Sequence, residues 1–303
     1  MPVILALILV QMIYASGVLV GKYILPIVPA PVIVTLRMVV ATAAFYAAHR
    51  AYRGKIPTLG ADWAKLALLG VLGGAGNQLL ILLGLTRTTA INTAMLIPMI
   101  PIFTVVFGWA LRLDRPNALK WGGVAVAAAG TVFLIGPSQV SLAPEVALGN
   151  VLVLTGMAFN ALAFLLSKDL LKRYPPVTVA LCLTLAGLLG VLPFGIQASA
   201  SVDTAGLESK AMLWLIYMVV FPTTVTYFLN LWSLRQASPV LVTSFIYLQP
   251  LFATAVAPLV LEGERLTLPV AIAGATIFLG VGLVILGEAR SRRAQLEAVT
   301  ADP

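Results

Sequence analysis

The stretch Leu234-Arg-Gln-Ala-Ser-Pro-Val-Leu-Val-Thr-Ser-Phe-Ile-Tyr-Leu-Gln-Pro-Leu-Phe252 sets the architecture, because an earlier part of the chain repeats it. It aligns with Leu85-Thr-Arg-Thr-Thr-Ala-Ile-Asn-Thr-Ala-Met-Leu-Ile-Pro-Met-Ile-Pro-Ile-Phe103, so that Pro101 falls on Pro250. Each copy then runs through an apolar stretch, a short charged turn and a Gly-rich apolar stretch. A long internal repeat constrains the whole architecture. Since both copies are hydrophobic throughout, they predict repeated membrane helices.

The composition excludes a soluble domain. Apolar residues make up 60% of the 303 residues and charged residues only 10%, with a mean hydropathy of +1.03. Soluble domains carry about a quarter charged residues, which cover their surface. A surface that faces lipid needs almost none, so we predict a polytopic membrane protein.

Charges and Pro/Gly clusters divide the chain into apolar runs of about 20 residues, the length at which a helix spans a bilayer. We therefore predict an all-α protein with ten transmembrane helices. The predicted spans are 3–23, 30–49, 64–84, 88–111, 118–136, 148–170, 176–196, 211–232, 238–261 and 266–287.

The distribution of Lys and Arg predicts the orientation. With a cytosolic N-terminus, the inner loops and helix ends hold 14 of the 19 basic side chains, and the outer side holds only Lys22, Arg87, Lys210 and Arg265. Positive charge concentrates on the cytosolic side of membrane proteins, which places both termini inside. The net charge of +8 then faces anionic lipids. We expect the lipid bilayer and a small-molecule substrate as partners and no nucleic acid; the sequence is compatible with a monomer and sets no oligomeric state.

Each repeat contains five predicted spans, in residues 1–137 and 148–287, joined by a linker at 138–147. An odd number of spans makes the second copy cross the membrane in the opposite sense. Inverted repeats are typical of alternating-access transporters, whose substrate binds near the midplane between the halves. Residues 288–303 are predicted to form a cytosolic tail, a short helix end followed by disorder.

The residues from Leu234 to Leu283 resemble the end of an EamA domain of the drug/metabolite transporter superfamily. The resemblance includes Leu-Arg-Gln-Ala-Ser-Pro-Val, Tyr-Leu-Gln-Pro-Leu-Phe, Glu-Gly-Glu-Arg-Leu-Thr and Gly-Ala-Thr-Ile-Phe-Leu-Gly-Val-Gly-Leu. The first repeat resembles a second EamA domain, and its run from Gln78 is similar to plant nodulin-like members. The family's Gly-Glu pair is present as Gly263-Glu264 but is replaced by Asp114-Arg115 in the first repeat. The resemblance implies ten helices around a central path and export of amino acids, other metabolites or toxic compounds, in a bacterial inner membrane.

Polar side chains inside the spans are the candidates for function, because they are costly in hydrocarbon and face the bundle interior. They concentrate on the first, third, fourth, sixth, eighth and ninth spans, whereas the fifth and tenth are almost entirely apolar. Amides and tyrosines offer donors, acceptors and an aromatic wall, which suits a small amphipathic molecule. The alternative is that they only hydrogen-bond between helices. The candidate substrate-binding residues are Tyr14, Arg37, Asn77, Gln78, Asn92, Asn160, Tyr227, Asn230, Tyr247 and Gln249.

Arg37 is the only cation well inside a predicted span. It could pair bidentately with a substrate carboxylate. Alternatively, it could snorkel to the outer interface or bond the carbonyls of neighbouring helices.

Prolines and glycines in the spans predict two different features. Pro98, Pro101, Pro250 and Pro258 remove backbone donors and are candidate hinges at related positions of the two repeats. The alternative is that these kinks only shape packing. The Gly-rich stretches 122–130 and 274–282 predict close helix packing without a ligand role.

Enzyme chemistry is not expected. The chain has one His, His49, in a predicted cytosolic turn, and it lacks a Walker A segment. We therefore predict no catalytic residue, no metal and no cofactor. The predicted function is facilitated export of small metabolites by alternating access. Proton-coupled efflux of toxic compounds is one alternative, weakened because the predicted spans hold no carboxylate at mid-length; a membrane sensor or scaffold is another.

Overall fold

The computed structural model describes residues 2–52, 61–89, 92–93, 96–114, 116–136, 143–202, 209–252 and 268–300. All regular structure in these ranges is helical, as expected for apolar segments that must satisfy their backbone groups internally. The α-helices are α1 (Pro2–Ile24), α2 (Ala30–Tyr52), α3 (Ala61–Leu69), α4 (Asn77–Leu85), α5 (Met99–Ala110), α6 (Ala118–Ile135), α7 (Pro144–Arg173), α8 (Pro176–Ser199), α9 (Ser209–Val219), α10 (Thr226–Gln236), α11 (Pro239–Ser244) and α12 (Leu268–Thr300).

Helix lies in every predicted span within these ranges, and seven helical stretches are long and apolar enough to cross a membrane. The stretches Pro2–Gly17, Met99–Ala110 and Pro239–Phe252 are apolar but shorter. The helical, membrane-spanning class is therefore confirmed, whereas the count of ten spans and the side of the termini remain predictions.

Two π-helical segments join consecutive α-helices. Gly70–Gly76 connects α3 to α4, and Val220–Val225 connects α9 to α10. Pro222 lies in the second segment and has no N–H to donate to the preceding turn. π-Helical turns widen a helix locally and occur frequently at functional sites.

The helices pack in a pattern that leaves space at the centre. α6 packs along α12, and α2 packs along α8. α1 contacts α10, and α4 contacts α7. One core cluster of buried residues includes Leu7, Leu66, Leu170 and Leu234. A second cluster includes Ile24, at the C-terminal end of α1, and residues at the N-terminal end of α2.

A cluster of three polar residues holds the turn between α10 and α11. We call these residues, Lys120, Ser238 and Glu288, the clasp. Lys120 Nζ lies 2.8 Å from Glu288 Oε2, with side chains only 3% and 11% exposed. Ser238 N donates to Glu288 Oε1 at 3.0 Å, and Lys120 Nζ donates to Ser238 Oγ at 3.2 Å. The clasp therefore ties α6 to the start of α11 and to α12.

Lys168 holds the same turn from α7. Its Nζ donates to the carbonyl oxygens of Leu234 at 2.5 Å and Ala237 at 2.6 Å. Carbonyls at a helix C-terminus lack intrahelical partners and carry partial negative charge, so a cation stabilises them. The end of α10 is thus fixed by a side chain of α7.

The structure corrects two sequence-based expectations. His49 lies within α2, not in a turn, with its Nδ1 3.1 Å from Thr178 Oγ1 of α8. The tail was expected to become disordered, but α12 continues to Thr300, and Glu288 is buried. Hydropathy does not predict the burial of Glu288, because its counter-ion, Lys120, lies 168 residues away in the sequence.

Candidate functional site

A cavity of about 210 Å³ lies among α1, α2, α4, α7, α10 and the two π segments. A single water needs about 10–15 Å³ on the same measure, so the space suits a larger molecule. Its polar lining comprises Gln11, Tyr14, Arg37, Asn77, Gln78, Thr93, Asn160, Ser167, Tyr227, Asn230 and Gln249.

Arg37 is held at the second π segment. Its Nε donates to Thr223 Oγ1 at 2.5 Å, and its Nη2 donates to the carbonyl oxygen of Pro222 at 3.0 Å. The side chain is 7% exposed and lines the cavity, so it does not snorkel to a membrane interface. It is the only charged side chain in the cavity lining among the described residues.

Three hydrogen bonds cross the cavity walls between distant parts of the chain. Asn230 Nδ2 donates to Tyr14 Oη at 3.4 Å, joining α10 to α1. Tyr227 Oη donates to the carbonyl oxygen of Gly73 at 3.3 Å. These contacts fit the interhelical role that the sequence left open.

The third bond joins Gln249 to α1. Its Nε2 donates to Gln11 Oε1 at 2.7 Å. The pair leaves the Gln11 amide nitrogen and the Gln249 amide oxygen without a partner in the described ranges. The pair can therefore still offer one donor group and one acceptor.

Other amides in the lining are free. Asn77, Gln78 and Asn160 make no side-chain hydrogen bond with any residue that the structure describes, and Gln78 Oε1 is fully buried. A buried amide without a partner costs about 1–3 kcal/mol. Such groups are stabilised when a ligand or water supplies the missing partner.

The remaining lining is apolar. α4 and α7 contribute Ile81, Leu82, Leu85, Met157, Ala163 and Phe164, and other parts of the chain contribute Ile97, Ile100, Leu183, Met218, Leu231, Leu234, Val242 and Ile246. A largely apolar pocket with a few polar groups is the usual form of a small-molecule site. The arrangement can hold an amphipathic molecule, with polar groups fixing its orientation.

The structure brings together eight of the ten candidate residues: Tyr14, Arg37, Asn77, Gln78, Asn160, Tyr227, Asn230 and Gln249. Tyr247 does not line the cavity; it is 0% exposed and packs in the core cluster around Leu7. Asn92 also lies outside the lining, and its Nδ2 donates to Asn150 Oδ1 at 3.0 Å. A polar residue on an apolar helix faces the interior, but its sequence does not say which part of the interior.

The three candidate hinge prolines that the structure describes do not line the cavity. Pro98 precedes the first residue of α5, Pro101 is buried within α5, and Pro250 lies in the helical residues that end at Phe252. Pro258 lies outside the described residues. Their hinge role remains a prediction.

Sequence reasoning missed the glycines and the π segments. Gly17 approaches the second π segment so closely that an added Cβ would lie 3.1 Å from Pro222 Cγ. Gly73 approaches α7, where an added Cβ would overlap Ala163 Cβ. The one available signal was the Gly-rich run within the third span, Gly70-Val-Leu-Gly-Gly-Ala-Gly76, which interrupts an otherwise bulky apolar helix.

Comparisons with known proteins agree with this architecture. A family model for the EamA-like transporter family matches residues 1–136 and 147–286. An uncharacterized transporter of Archaeoglobus fulgidus is 25% identical over 232 residues, 76% of this chain and 79% of its own length. The uncharacterized inner membrane transporter YedA of Escherichia coli K12 is 25% identical over 77% of this chain and 72% of its own. A WAT1-related protein of Arabidopsis thaliana is 25% identical over 79% of this chain and 69% of its own.

A solved crystal structure has the same fold. It superimposes with a TM-score of 0.73 at 19% sequence identity, covering 94% of this chain and 97% of the other. At this identity the likeness concerns the fold alone.

Proposed function

The chain belongs to the EamA-like transporter family, and from this premise we propose that its central cavity binds a small amphipathic metabolite for export by alternating access. The protein is an integral, multi-pass membrane protein. The single observation that carries the site proposal is the group of amides, Asn77, Gln78 and Asn160, that line the cavity without a partner among the described residues. Amino acids and related polar or amphipathic compounds are the proposed substrate class, and the inner membrane of a bacterium is the proposed location.

Alternating access by two inverted repeats of five helices, with both termini cytosolic, is part of the proposal. Its support is a relation between equivalent positions: Tyr227 follows Gln78 by the same 149 positions that separate Pro250 from Pro101. Gln78 and Tyr227 each lie two residues after a π segment and both line the cavity. The repeat boundaries at 1–137 and 148–287 belong to the same proposal.

The contacts between helices support the same relation. Suppose that each of the first five predicted spans corresponds to the span five places later. The α2–α8 pair then joins the equivalent second and seventh spans, and the α6–α12 pair joins the equivalent fifth and tenth. The contacts of α4 with α7 and of α10 with α1 are likewise equivalent. Two structurally related halves that meet at a cavity can rock about it.

Facilitated transport is the proposed energetic mode. The cavity lining contains no carboxylate within the described ranges. Proton-driven carriers commonly use ionisable groups inside the membrane. A gradient of the substrate itself is therefore the proposed driving force, with proton-coupled efflux as the competing mode.

The first test is counterflow in liposomes that contain the purified protein and are loaded in turn with neutral, anionic, zwitterionic and cationic metabolites. We expect the wild type to exchange some of them. The N77A/N160A variant should exchange these solutes about 10–100-fold more slowly, since each lost hydrogen bond contributes about 0.5–1.5 kcal/mol.

The matched control is Q197A, which removes an exposed amide at the end of α8. It should exchange at the wild-type rate. If folded wild-type protein exchanges no solute in the panel, transport by this cavity is excluded and a sensor or scaffold role is favoured. Exchange that persists unchanged in N77A/N160A would place the substrate elsewhere.

A further inference from the structure

We propose that Arg37 binds the carboxylate of the transported molecule, so that the cavity selects amphipathic monocarboxylates over cations. This inference rests on the proposed transport function and adds a substrate class to it. It is carried by three features of the site: the orientation of the guanidinium, the charge of the cavity and the distance between its polar groups.

Two hydrogen bonds along one edge hold the guanidinium of Arg37 in place. Thr223 Oγ1 and the Pro222 carbonyl oxygen accept from Nε and Nη2, which form the side edge of the group. Arg37 makes no other hydrogen bond to the part of the chain that the structure describes. Both N–H groups of Nη1 and one of Nη2 remain, and one N–H of each nitrogen forms the end edge, which is left for a ligand. Two parallel N–H donors match the two oxygens of a carboxylate.

The cavity carries one uncompensated positive charge. Arg remains protonated in proteins, and no acidic side chain among the described residues lines the cavity. A charge buried without a counter-ion is strongly disfavoured. A ligand with one negative charge neutralises the site, whereas a dianion leaves a net negative charge and a cation adds a second positive one.

The same argument ranks zwitterions below simple monocarboxylates. The ammonium group of an amino acid meets neutral acceptors, such as an amide oxygen of the lining, but no acidic side chain among the described lining residues. Amide oxygens bind an ammonium group but do not neutralise it. An α-amino acid is therefore accepted less tightly than the corresponding acid without the amino group.

The distance from Arg37 to the Gln11–Gln249 pair sets the length of the ligand. Pro222 contacts α1 at Gly17, and Gln249 contacts it at Gln11. Six residues of helix separate these levels by about 9 Å. Apolar side chains, among them Phe164 and Met157, lie along the cavity. The ligand is thus a carboxylate with an apolar body of roughly the size of a phenylpropyl group.

The test compares five ligands that share one aromatic body: 3-phenylpropanoate, 3-phenylpropanamide, L-phenylalanine, 2-phenylethylamine and 2-phenylethylphosphonate. Binding to the purified protein is measured by calorimetry, and exchange is measured separately by counterflow. We expect the carboxylate to bind about 10–100-fold tighter than the amide, with phenylalanine weaker than the carboxylate and the amine weakest. At a pH high enough to make 2-phenylethylphosphonate a dianion, binding of the phosphonate as tight as that of the carboxylate would overturn the monoanion selectivity.

The variants use the amide as an internal standard, so that a change in the amount of folded protein cancels. R37Q should reduce the ratio of carboxylate to amide affinity to near one, and R37K should retain part of it. R50Q is the control, since Arg50 is exposed on the same helix. Its ratio should equal that of the wild type.

Three results overturn the inference: the amine binds as tightly as the carboxylate, R37Q leaves the ratio unchanged, or the wild type does not bind the carboxylate. Failure of the transport proposal is distinct. Arg37-dependent binding without exchange would support the anion site but refute transport of these ligands. Exchange of solutes without any preference for carboxylates would support transport but refute the anion site.

Discussion

At the residue scale, the neighbours Gly122 and Gly123 in α6 have different surroundings. An added Cβ on Gly123 would lie 2.6 Å from the Gly280 carbonyl oxygen and 2.7 Å from Val284 Cγ2, whereas one on Gly122 would meet nothing within 4 Å. The Gly-rich stretches 122–130 and 274–282 were predicted to allow close packing. The structure shows the close approach at Gly123 and Gly280 but open space at Gly122 and Gly282.

This difference predicts opposite effects of two adjacent substitutions. G123A should lower the free energy of unfolding by about 1–3 kcal/mol, because α6 and α12 must move apart. G122A should be neutral or should stabilise the helix by about 0.5–1 kcal/mol, because Gly costs backbone entropy in a helix. Unfolding of the purified protein in detergent, followed by circular dichroism, measures both. Equal destabilisation by the two substitutions would contradict the packing described.

Lys168 shows how far residue type alone can be interpreted. Lys168 lies near the end of the predicted span 148–170, a position that is typical of an anchor at the membrane interface. In the structure its Nζ donates to carbonyl oxygens at the end of α10. A cation at a helix end can serve either as an interface anchor or as a donor to helix-end carbonyls. Only the position of α10 decides which of these roles Lys168 has.

At the element scale, the clasp joins α6, α11 and α12 around a buried ion pair. Replacing Lys120 with Met removes the buried counter-ion of Glu288 and leaves it only Arg292, an exposed side chain whose Nε lies 3.5 Å from Glu288 Oε1. K120M should therefore lower the free energy of unfolding by about 3–5 kcal/mol. The double variant K120M/E288M should be more stable than K120M alone, because it removes both charges. Chemical unfolding in detergent measures the three proteins.

The control is the exposed pair of Lys65 and Asp169, 3.2 Å apart, with side chains 29% and 53% exposed. Solvent screens such a pair, so K65M should change the free energy of unfolding by no more than about 1 kcal/mol. If K65M and K120M destabilise equally, burial does not strengthen the Lys120–Glu288 interaction.

At the scale of the whole molecule, the inverted repeat predicts on which side of the membrane each exposed residue lies. Glu145 and Glu297 are both exposed and are separated by five predicted spans. An odd number of crossings puts them on opposite sides, with Glu145 outside and Glu297 in the cytosol. Cys182 is the single cysteine, and it is buried in α8, so C182A provides a background without thiols.

A membrane-impermeant maleimide tests this arrangement in intact cells. C182A/E145C should react, and C182A/E297C should react only after permeabilisation. The wild type, with Cys182 alone, should stay unlabelled in both states. Labelling of both single-cysteine variants from the same side would refute five crossings between them, and therefore the inverted repeat.

Local composition accounts for what was predictable. Twenty-residue apolar runs must form helices, since no water is present in a bilayer to bond the backbone. The internal repeat and the charge-poor composition therefore led to the helical membrane class, and the resemblance of residues 234–283 led to the transporter family. Tyr14 and Asn160 could be proposed for the interior for the same reason, because a polar group in an apolar helix avoids lipid.

Contacts between distant parts of the chain account for the rest. The rotation of each helix separates Tyr247, buried in the core, from Gln249, which lines the cavity two residues later. The Pro222 carbonyl and the Thr223 hydroxyl meet Arg37 across 185 and 186 positions of sequence, and they leave the other edge of its guanidinium without a partner among the described residues. The sequence established the fold class and the set of polar side chains, since both follow from each residue's own preference for lipid or protein. The tertiary packing selected the residues that form the cavity, since helix rotation and long-range hydrogen bonds depend on every helix at once.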